Sequence, residues 1–239
     1  MNGSPPDLLV VMPVYNEQAS VRKVVTEWFH ELERSVGQFV LLAIDDGSTD
    51  ATLEELKAMQ QELGPRLEWI SRENRGHGQS CIQGYQIALE RGVPFIFQID
   101  SDGQCDPRFF PEFWKLAEHF DVIYGKRTRE DGWRRVIASM FLRCLLMVGF
   151  GVNCVDANVP YRLMRTQSCA AAIRSIPSHF FLANVALAVV LRKTGGLREA
   201  TVPIRFRCRY GGEPTVPFSK FGIKALELFT QLGNLPKGS

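Results

Sequence analysis

The chain has 239 residues, of which 45% are hydrophobic and 23% charged, and these ordinary globular values exclude a disordered or fibrous protein. Its net charge of +2 divides unevenly, since residues 1–125 carry 20 acidic and 10 basic side chains, and residues 126–239 carry 6 acidic and 18 basic ones. We therefore expect an acidic half suited to a metal ion and a basic half suited to anions, or simply two solvated faces of opposite sign.

The first half of the chain alternates between apolar runs and segments with helical spacing. Strands are predicted at residues 8–12, 39–44, 67–70, 95–99 and 121–124, and helices at residues 21–36, 50–63, 78–91 and 107–120. This alternation implies right-handed crossovers. It predicts an α/β fold, with a mostly parallel Rossmann-like sheet and helices on both faces.

The second half is less regular. Helices are predicted at residues 133–148, 167–175, 181–193 and 220–232, strands at residues 159–164 and 197–206, and a loop at residues 210–218. The helix at 133–148 is apolar on most faces and carries arginines, so it suits the core, a membrane interface or both. Repeats and flexible linkers are absent from the sequence, which predicts a single domain over residues 1–239.

Segments that would direct the protein to or through a membrane are not evident. Neither long apolar stretch, at residues 136–152 and 180–191, is a clean run of about 18 apolar residues. The first residues lack the basic start and apolar core of a signal peptide. Six scattered cysteines without a C-x-x-C pair favour a reduced protein without zinc. We expect a cytoplasmic protein, with peripheral contact to the cytoplasmic face of the membrane, and no nucleic-acid partner.

Polar side chains cluster where three of the early strands should end. The first strand runs into P-V-Y-N-E, the second into D-D-G-S and the fourth into D-S-D-G-Q. Because the ends of parallel strands share one sheet edge, five carboxylates should converge there: Glu17, Asp45, Asp46, Asp100 and Asp102. Such a cluster needs a cation. Asp100 and Asp102, helped by Gln104, are candidate ligands for Mg²⁺ or Mn²⁺, which prefer hard oxygen donors.

These motifs, together with N-R-G-H-G-Q-S-C-I-Q-G and D-V-I-Y-G-K-R, resemble a known family. They are similar to the motifs of family 2 inverting glycosyltransferases with the GT-A fold, in particular the branch of dolichol- or polyprenyl-phosphate sugar synthases. The resemblance extends from residue 8 to about residue 232. It is specific for the fold and the donor chemistry, and less specific for the acceptor. It implies a nucleotide-sugar-binding half at residues 1–125 and an acceptor-binding half at residues 126–239.

The resemblance implies a role for each matching residue on the donor side. Asp100, Asp102 and Gln104 would hold the metal ion, which bridges the diphosphate of the nucleotide sugar. The nucleotide itself would lie against Pro13, Tyr15, Glu17, Ile44, Asp46, Asp100 and Ser101. His77, in a glycine-bearing turn, is interpreted as an exposed loop histidine rather than a catalytic base.

The basic half would receive the acceptor. Candidate ligands for an acceptor phosphate are Arg127, Arg162, Arg209 and Lys220, with Arg207 nearby. The R-Y-G-G-E segment at 209–213 matches the start of a phosphate-contacting motif, but residues 214–218 separate it from Lys220 and weaken that part of the match. Asp156 lies where the family often has an acceptor-side acid, so the candidate catalytic residues are Asp156, Arg127 and Arg209.

The expected activity is therefore metal-dependent inverting transfer of a sugar from a GDP- or UDP-sugar to a polyprenyl or dolichyl phosphate, as in cell-envelope glycan biosynthesis. Two alternatives stay open. The acceptor is a glycan or another hydroxyl compound, in which case Asp156 serves as the general base that a hydroxyl needs. Alternatively the protein binds nucleotide sugars without catalysis and regulates a partner, although such a module need not keep the D-x-D acids.

Overall fold

The computed structural model describes residues 5–128, 144, 146–149, 151–152, 159–176 and 183–211. Its strands are β1 Leu8–Val14, β2 Phe39–Asp45, β3 Leu67–Ser71, β4 Phe95–Gln98, β5 Val122–Arg127, β6 Arg162–Arg165 and β7 Glu199–Ile204. Its helices are α1 Val21–Ser35, α2 Thr52–Leu63, α3 His77–Glu90, α4 Phe110–Leu116, α5 Thr166–Ser175 and α6 Ala183–Thr194, with 3₁₀ turns at Gly64–Arg66 and Pro107–Phe109.

The seven strands form one sheet in the order β3-β2-β1-β4-β6-β5-β7. Strand β6 runs antiparallel to both of its neighbours, and the other pairs are parallel. All strands except β6 therefore point the same way, which confirms the mostly parallel sheet. The carboxyl ends of β1, β2, β4, β5 and β7 consequently meet at one edge, where ligands bind in sheets of this kind.

Helices cover both faces of the sheet. Along β1, Leu9 and Val11 belong to a core formed with α3, α5 and α6, whereas Val10 and Met12 belong to a core formed with α1, α2 and α4. Because β1 is buried on both faces, its sequence is a continuous apolar run rather than an alternating one. The predicted arrangement of helices on two faces is confirmed.

Some predicted boundaries differ from the observed ones. The helix predicted at 107–120 is a 3₁₀ turn at Pro107–Phe109 followed by the shorter α4. Asp106 caps the turn by accepting from the Arg108 N–H at 3.0 Å. The strand predicted from residue 159 begins only at Arg162. Most of the helix predicted at 133–148, nearly all of the loop predicted at 210–218 and the helix predicted at 220–232 lie outside the described residues. Among the helices that the structure describes, none has the length and apolar character to cross a membrane.

Asp121 fastens the start of β5 to the start of β7, at the edge opposite the carboxyl ends. Its Oδ2 accepts from the backbone N–H of Arg198 at 3.0 Å and from the Arg198 Nε at 3.1 Å, and its Oδ1 accepts from Ser168 Oγ at 2.8 Å. The hydrogen bond from the Arg198 side chain is the main cause that lowers the pKa of Asp121 to about 2. This acid of the D-V-I-Y-G-K-R motif is therefore structural.

We expect Asp121→Asn to destabilise the fold by about 1 kcal/mol at pH 7, allowing for solvent around the half-exposed Arg198. The pKa of Asp121 is lower in the folded chain, so its stabilisation is present above pH ~4 and decreases as the pH falls towards 2. Urea unfolding of both proteins at pH 7 and pH 3 measures this. The difference between them should shrink by roughly half at pH 3, and an unchanged difference would show that the carboxylate charge is not responsible.

Candidate active site

The loops that follow β1 and β2 are joined by hydrogen bonds at the carboxyl edge. The Asn16 N–H donates to Ser48 Oγ at 2.9 Å, the Thr49 N–H donates to Asn16 Oδ1 at 2.8 Å, and the Glu17 N–H donates to Thr52 Oγ1 at 2.8 Å. Asn16 adopts a φ of 52°, which asparagine tolerates better than most residues. The polar residues after D-D-G thus hold Glu17 in place, a role that the sequence analysis missed.

Glu17 is a buried carboxylate paired with an arginine from the far end of the chain. Its Oε2 accepts from Ser20 Oγ at 2.5 Å, and its Oε1 accepts from Arg209 Nη2. Arg209 Nη1 also lies 3.7 Å from Asp102 Oδ2. Burial raises the pKa of Glu17, and the hydrogen bond from Ser20 and the charge of Arg209 oppose this. One guanidinium therefore supplies part of the positive charge that the acidic cluster needs.

Asp46 is buried and ties the turn before α3 to the end of β2. Its Oδ1 accepts from Arg72 Nη2 at 2.8 Å and from the Arg75 N–H at 3.0 Å, and its Oδ2 accepts from the Gly76 N–H at 2.7 Å. Gly47 is required beside it, since its φ is +76° and a Cβ there would lie 2.8 Å from a backbone nitrogen. Arg72 was not among the predicted site residues.

The structure places Asp100 and Asp102 directly beyond β4. Asp102 Oδ1 accepts from the Gln104 N–H at 3.0 Å. Burial raises the pKa of Asp102, and the nearby negative charge of Asp100 raises it further, a repulsion that a cation relieves. In the described part of the chain, no group of three or more His, Cys, Asp or Glu side chains is placed to hold a metal ion. Two carboxylates nevertheless fit Mg²⁺ or Mn²⁺, which take further oxygens from phosphate and water.

His77 begins α3 and lies beside the first of these acids. Its ring is half exposed, as the sequence indicated, but its Nε2 is 3.0 Å from Asp100 Oδ1. Partial burial lowers the pKa of His77, whereas its contacts with Cys81 and the Asp100 carboxylate raise it, and the raising contributions prevail. The partner of His77 was not predictable from its neighbours in sequence, because Asp100 lies 23 residues away.

Other predicted donor-side residues divide between exposed and buried positions. Tyr15 is 38% exposed and directly follows the end of β1. Pro13 and Ile44 are register partners across β1 and β2 and are both buried, so their side chains have little surface to offer a nucleotide. Ser101 is buried, and its carbonyl oxygen lies 3.5 Å from Ser20 Oγ.

The basic residues of the second half have different surroundings. Arg127 ends β5, half-buried, with its guanidinium 5.2 Å from the Phe206 ring centroid. Arg162 is fully buried, and its Nη2 donates to the Asn184 carbonyl oxygen at 3.2 Å. An acceptor phosphate requires access from solvent, so this placement does not support the predicted acceptor contact of Arg162. Asp156 and Lys220 lie outside the described residues.

Comparison with known proteins identifies the family. Residues 9–176, more than half of the chain, match the model of Glycosyl transferase family 2. The chain belongs to glycosyl transferase family 2. The glycosyltransferase family expected from the sequence is therefore confirmed.

Two bacterial relatives in this family act on undecaprenyl phosphate by name. The chain is 26% identical over 220 residues to the undecaprenyl-phosphate 4-deoxy-4-formamido-L-arabinose transferase of Edwardsiella ictaluri, with 91% of this chain and 63% of the relative covered. It is 27% identical over 218 residues to the undecaprenyl-phosphate mannosyltransferase of Micrococcus luteus, with 86% of each covered. The chain therefore spans less than two thirds of the Edwardsiella protein.

Solved glycosyltransferase structures share the fold. The glucosyl-3-phosphoglycerate synthase from Mycobacterium tuberculosis, in complex with Mn²⁺, uridine diphosphate and phosphoglyceric acid, superposes with a TM-score of 0.71 at 18% identity, covering 97% of this chain and 80% of that one. The same enzyme with Mn²⁺ and UDP-glucose gives a TM-score of 0.69 at 19% identity, covering 97% and 80%. The GT-A fold expected from the motifs is confirmed.

We expect Asp46→Asn to weaken nucleoside diphosphate binding in this glycosyltransferase by about 1–3 kcal/mol, the cost of losing one buried charged hydrogen bond. Asp45→Asn is the matched control, because its carboxylate is equally buried and likewise accepts from neighbouring donors, the Ser48 N–H at 3.1 Å and Ser71 Oγ at 2.7 Å, whereas the motif match implies a nucleotide contact only for Asp46. Calorimetric titration of both variants measures the difference. Equal, small losses would show that both acids only shape the turn.

Proposed function

We propose that this protein is a metal-dependent inverting glycosyltransferase that moves a sugar from a GDP- or UDP-sugar to a polyprenyl phosphate. The observation that carries the proposal is the meeting of acids and arginines at one sheet edge. Asp100 and Asp102 lie there beside Glu17, and Arg209 from the basic half reaches both Glu17 and Asp102. A site of this composition suits a reaction between two anionic partners around a cation.

On the donor side, the exposed ring of Tyr15 offers a stacking face for the base. Glu17 would accept from ribose hydroxyls once Arg209 moves away from it, and Asp46 Oδ2 would accept a second hydrogen bond, from the base. The solved structural neighbours contain uridine diphosphate or UDP-glucose, which supports a nucleotide-sugar donor. We assign this donor half to residues 1–125.

Asp100 and Asp102, with the Gln104 amide oxygen, are the proposed holders of Mg²⁺ or Mn²⁺. A divalent ion there would neutralise charge on the departing diphosphate. Mn²⁺ in the structural neighbours supports a divalent metal. The cluster lies at the end of β4, so the diphosphate would lie over the carboxyl edge, within reach of the half-exposed His77.

The acceptor would bind to residues 126–239, where its phosphate would contact Arg127 and Arg209, together with Lys220 beyond the described part. An acceptor phosphate oxygen would attack the anomeric carbon opposite the diphosphate, forming one C–O bond as the other breaks, so that the configuration inverts. A phosphate oxygen is already anionic and needs no general base. The names of the two relatives support an undecaprenyl phosphate acceptor, and a lipid-linked acceptor would bring the protein to the cytoplasmic face of the membrane as a peripheral protein.

A second candidate keeps the donor chemistry and changes the acceptor to a hydroxyl compound. The observation in its favour is the phosphoglyceric acid bound in a structural neighbour. In this case Asp156 would remove the hydroxyl proton, because a hydroxyl group has a pKa far above 7.

A nucleotide-sugar panel tests the proposal. The protein is supplied with Mg²⁺ or Mn²⁺ and each of several GDP- and UDP-sugars, and nucleoside diphosphate release is measured with a short polyprenyl phosphate, with phosphoglyceric acid and without acceptor. We expect one donor to be turned over only with the polyprenyl phosphate, giving a product of inverted anomeric configuration by NMR. Turnover with phosphoglyceric acid alone would favour the second candidate. Nucleotide binding without turnover under any condition would favour a non-catalytic regulator.

A further inference from the structure

Residues 207–211, here called the covering segment, run along residues 102–106. We call residues 102–106 the D-x-D loop, because they begin at the second acid of the D-x-D motif. The Arg207 N–H donates to the Gln104 carbonyl oxygen at 3.0 Å, and the Tyr210 N–H donates to the Asp102 carbonyl oxygen at 3.1 Å. Arg207 Nη2 also donates to Asp106 Oδ1 at 2.5 Å. The covering segment thus holds the D-x-D loop through its backbone at two points and through a buried carboxylate at its end.

The ring of Tyr210 occupies the space that the missing side chain of Gly103 leaves. A Cβ built on Gly103 would lie 2.4 Å from Tyr210 Cδ2, which is closer than such atoms ever approach. Gly103 also has a φ of +81°, a conformation that glycine adopts without strain. The turn at Gly103 therefore brings the Tyr210 ring against the backbone between Asp102 and Gln104, two of the three candidate metal ligands.

The rest of the Tyr210 side chain is fixed to α1. Its hydroxyl is 3.1 Å from both carboxylate oxygens of Glu27, and it accepts from Arg207 Nη1 at 2.6 Å. The ammonium of Lys23 lies 3.8 Å from the ring centroid, within the range of a cation–π interaction. The ring is consequently contacted on its face and at its tip, and it connects α1 to the D-x-D loop.

We propose that Tyr210 is a positioning residue that sets the conformation of the D-x-D loop and thereby its affinity for a divalent metal ion. The inference rests on the proposed function, because it takes Asp100, Asp102 and Gln104 to be the metal ligands. Metal coordination tolerates displacements of only a few tenths of an ångström. A loop whose backbone is hydrogen-bonded and whose glycine is covered by a ring meets that demand better than a free loop.

Three variants separate positioning from general stability. Tyr210→Ala removes the ring from Gly103, whereas Tyr210→Phe keeps the ring and loses only the hydroxyl. The matched control is Trp69→Ala in β3, whose indole N–H donates to Gln60 Oε1 at 2.9 Å and has the Lys57 ammonium 5.5 Å from its ring centroid. Trp69 thus has the same kinds of contact, but β3 is separated from β4 by two strands.

Mn²⁺ affinity is measured in the presence of UDP and of GDP by electron paramagnetic resonance, alongside the Tm of each protein. We expect Tyr210→Ala to lower Mn²⁺ affinity at least about tenfold, a change of about 1.4 kcal/mol. Tyr210→Phe should stay within about threefold of the wild type. Trp69→Ala should lower the Tm and leave Mn²⁺ affinity unchanged. If the role of Tyr210 were purely structural, Tyr210→Ala would give this same result.

The outcomes distinguish this inference from the proposed function. A wild-type protein that binds no Mn²⁺ with either nucleotide overturns the metal site itself. A wild type that binds Mn²⁺, with a Tyr210→Ala variant of equal affinity, overturns the positioning role alone. If Tyr210→Ala does not fold, Tyr210→Leu decides the question, because it removes the planar ring from Gly103, keeps apolar volume there and leaves the glycine with its φ of +81° unchanged. Unchanged Mn²⁺ affinity in that variant contradicts the inference.

Discussion

Asp102→Asn is expected to lower the rate of sugar transfer about a thousandfold or more and to leave the fold intact. The substitution removes the anionic ligand that the proposed metal ion requires. It preserves the side-chain oxygen that accepts from the Gln104 N–H at 3.0 Å, so the D-x-D loop keeps its local hydrogen bond. The loss is therefore one of charge rather than of loop shape.

The stability of the variant should be equal to or higher than that of the wild type. Burial and the charge of Asp100 both raise the pKa of Asp102, which means that the folded chain disfavours its ionised form. The distance of 3.7 Å from Arg209 makes this a weak ion pair, and Glu17 keeps the guanidinium paired when Asp102 is neutral. An active site commonly sacrifices stability in this way for a function that appears only with ligands bound.

Nucleoside diphosphate release with Mn²⁺ and the Tm of the same samples measure both expectations. Asp7→Asn is the control, since Asp7 is an exposed carboxylate just before β1 and therefore at the opposite edge of the sheet. The wild type treated with EDTA should behave like Asp102→Asn. If transfer continues in EDTA, or if Asp102→Asn still turns over, the assignment of a metal to this edge is wrong.

The edge that carries the site was predictable because it follows from the direction of the strands. The apolar runs at β1, β2 and β4 are continuous, as expected of strands buried on both faces, and strands separated by helices run parallel. Once the strands are parallel, the acids that follow them must share an edge whatever their side chains contact. For this reason, the sequence correctly predicted that Glu17, Asp46 and Asp100 lie at the carboxyl edge of the sheet.

The partners of these acids were not predictable, because they come from distant parts of the chain. Glu17 pairs with Arg209, 192 residues away, and Tyr210 covers Gly103 from the same late segment. Periodicity and turn composition report on a few neighbouring residues and carry no signal for such contacts. The same limit explains Arg162: the basic half was expected to receive the acceptor anion, and only the packing of Tyr124 and Asn184 around this arginine shows that it is buried.

The second large effect is expected at Arg209, and it distinguishes the two candidate acceptors. An arginine fork holds a phosphate through paired hydrogen bonds, which a lysine cannot reproduce. With a polyprenyl phosphate acceptor, we expect Arg209→Lys to lower kcat/KM for the acceptor at least about thirtyfold, about 2 kcal/mol. Nucleotide affinity should stay the same or rise slightly, because the guanidinium that pairs with Glu17 and approaches Asp102 competes with ribose and metal for both acids.

Steady-state kinetics of Arg209→Lys and Asp156→Asn, against a polyprenyl phosphate and a simple glycan, test the two acceptors together. Arg91→Lys is the matched control, since Arg91 forms two hydrogen bonds with Glu68 far from the D-x-D loop, at 3.0 and 2.7 Å. A phosphate acceptor needs no deprotonation, so Asp156→Asn should then be mild. With a hydroxyl acceptor the relative size of the two effects reverses. Asp156→Asn then removes the general base and should be severe, whereas Arg209→Lys should be modest because there is no acceptor phosphate for the guanidinium to hold. An inactive Asp156→Asn enzyme beside a normal Arg209→Lys enzyme would therefore rule out the lipid phosphate and leave the hydroxyl acceptor as the substrate.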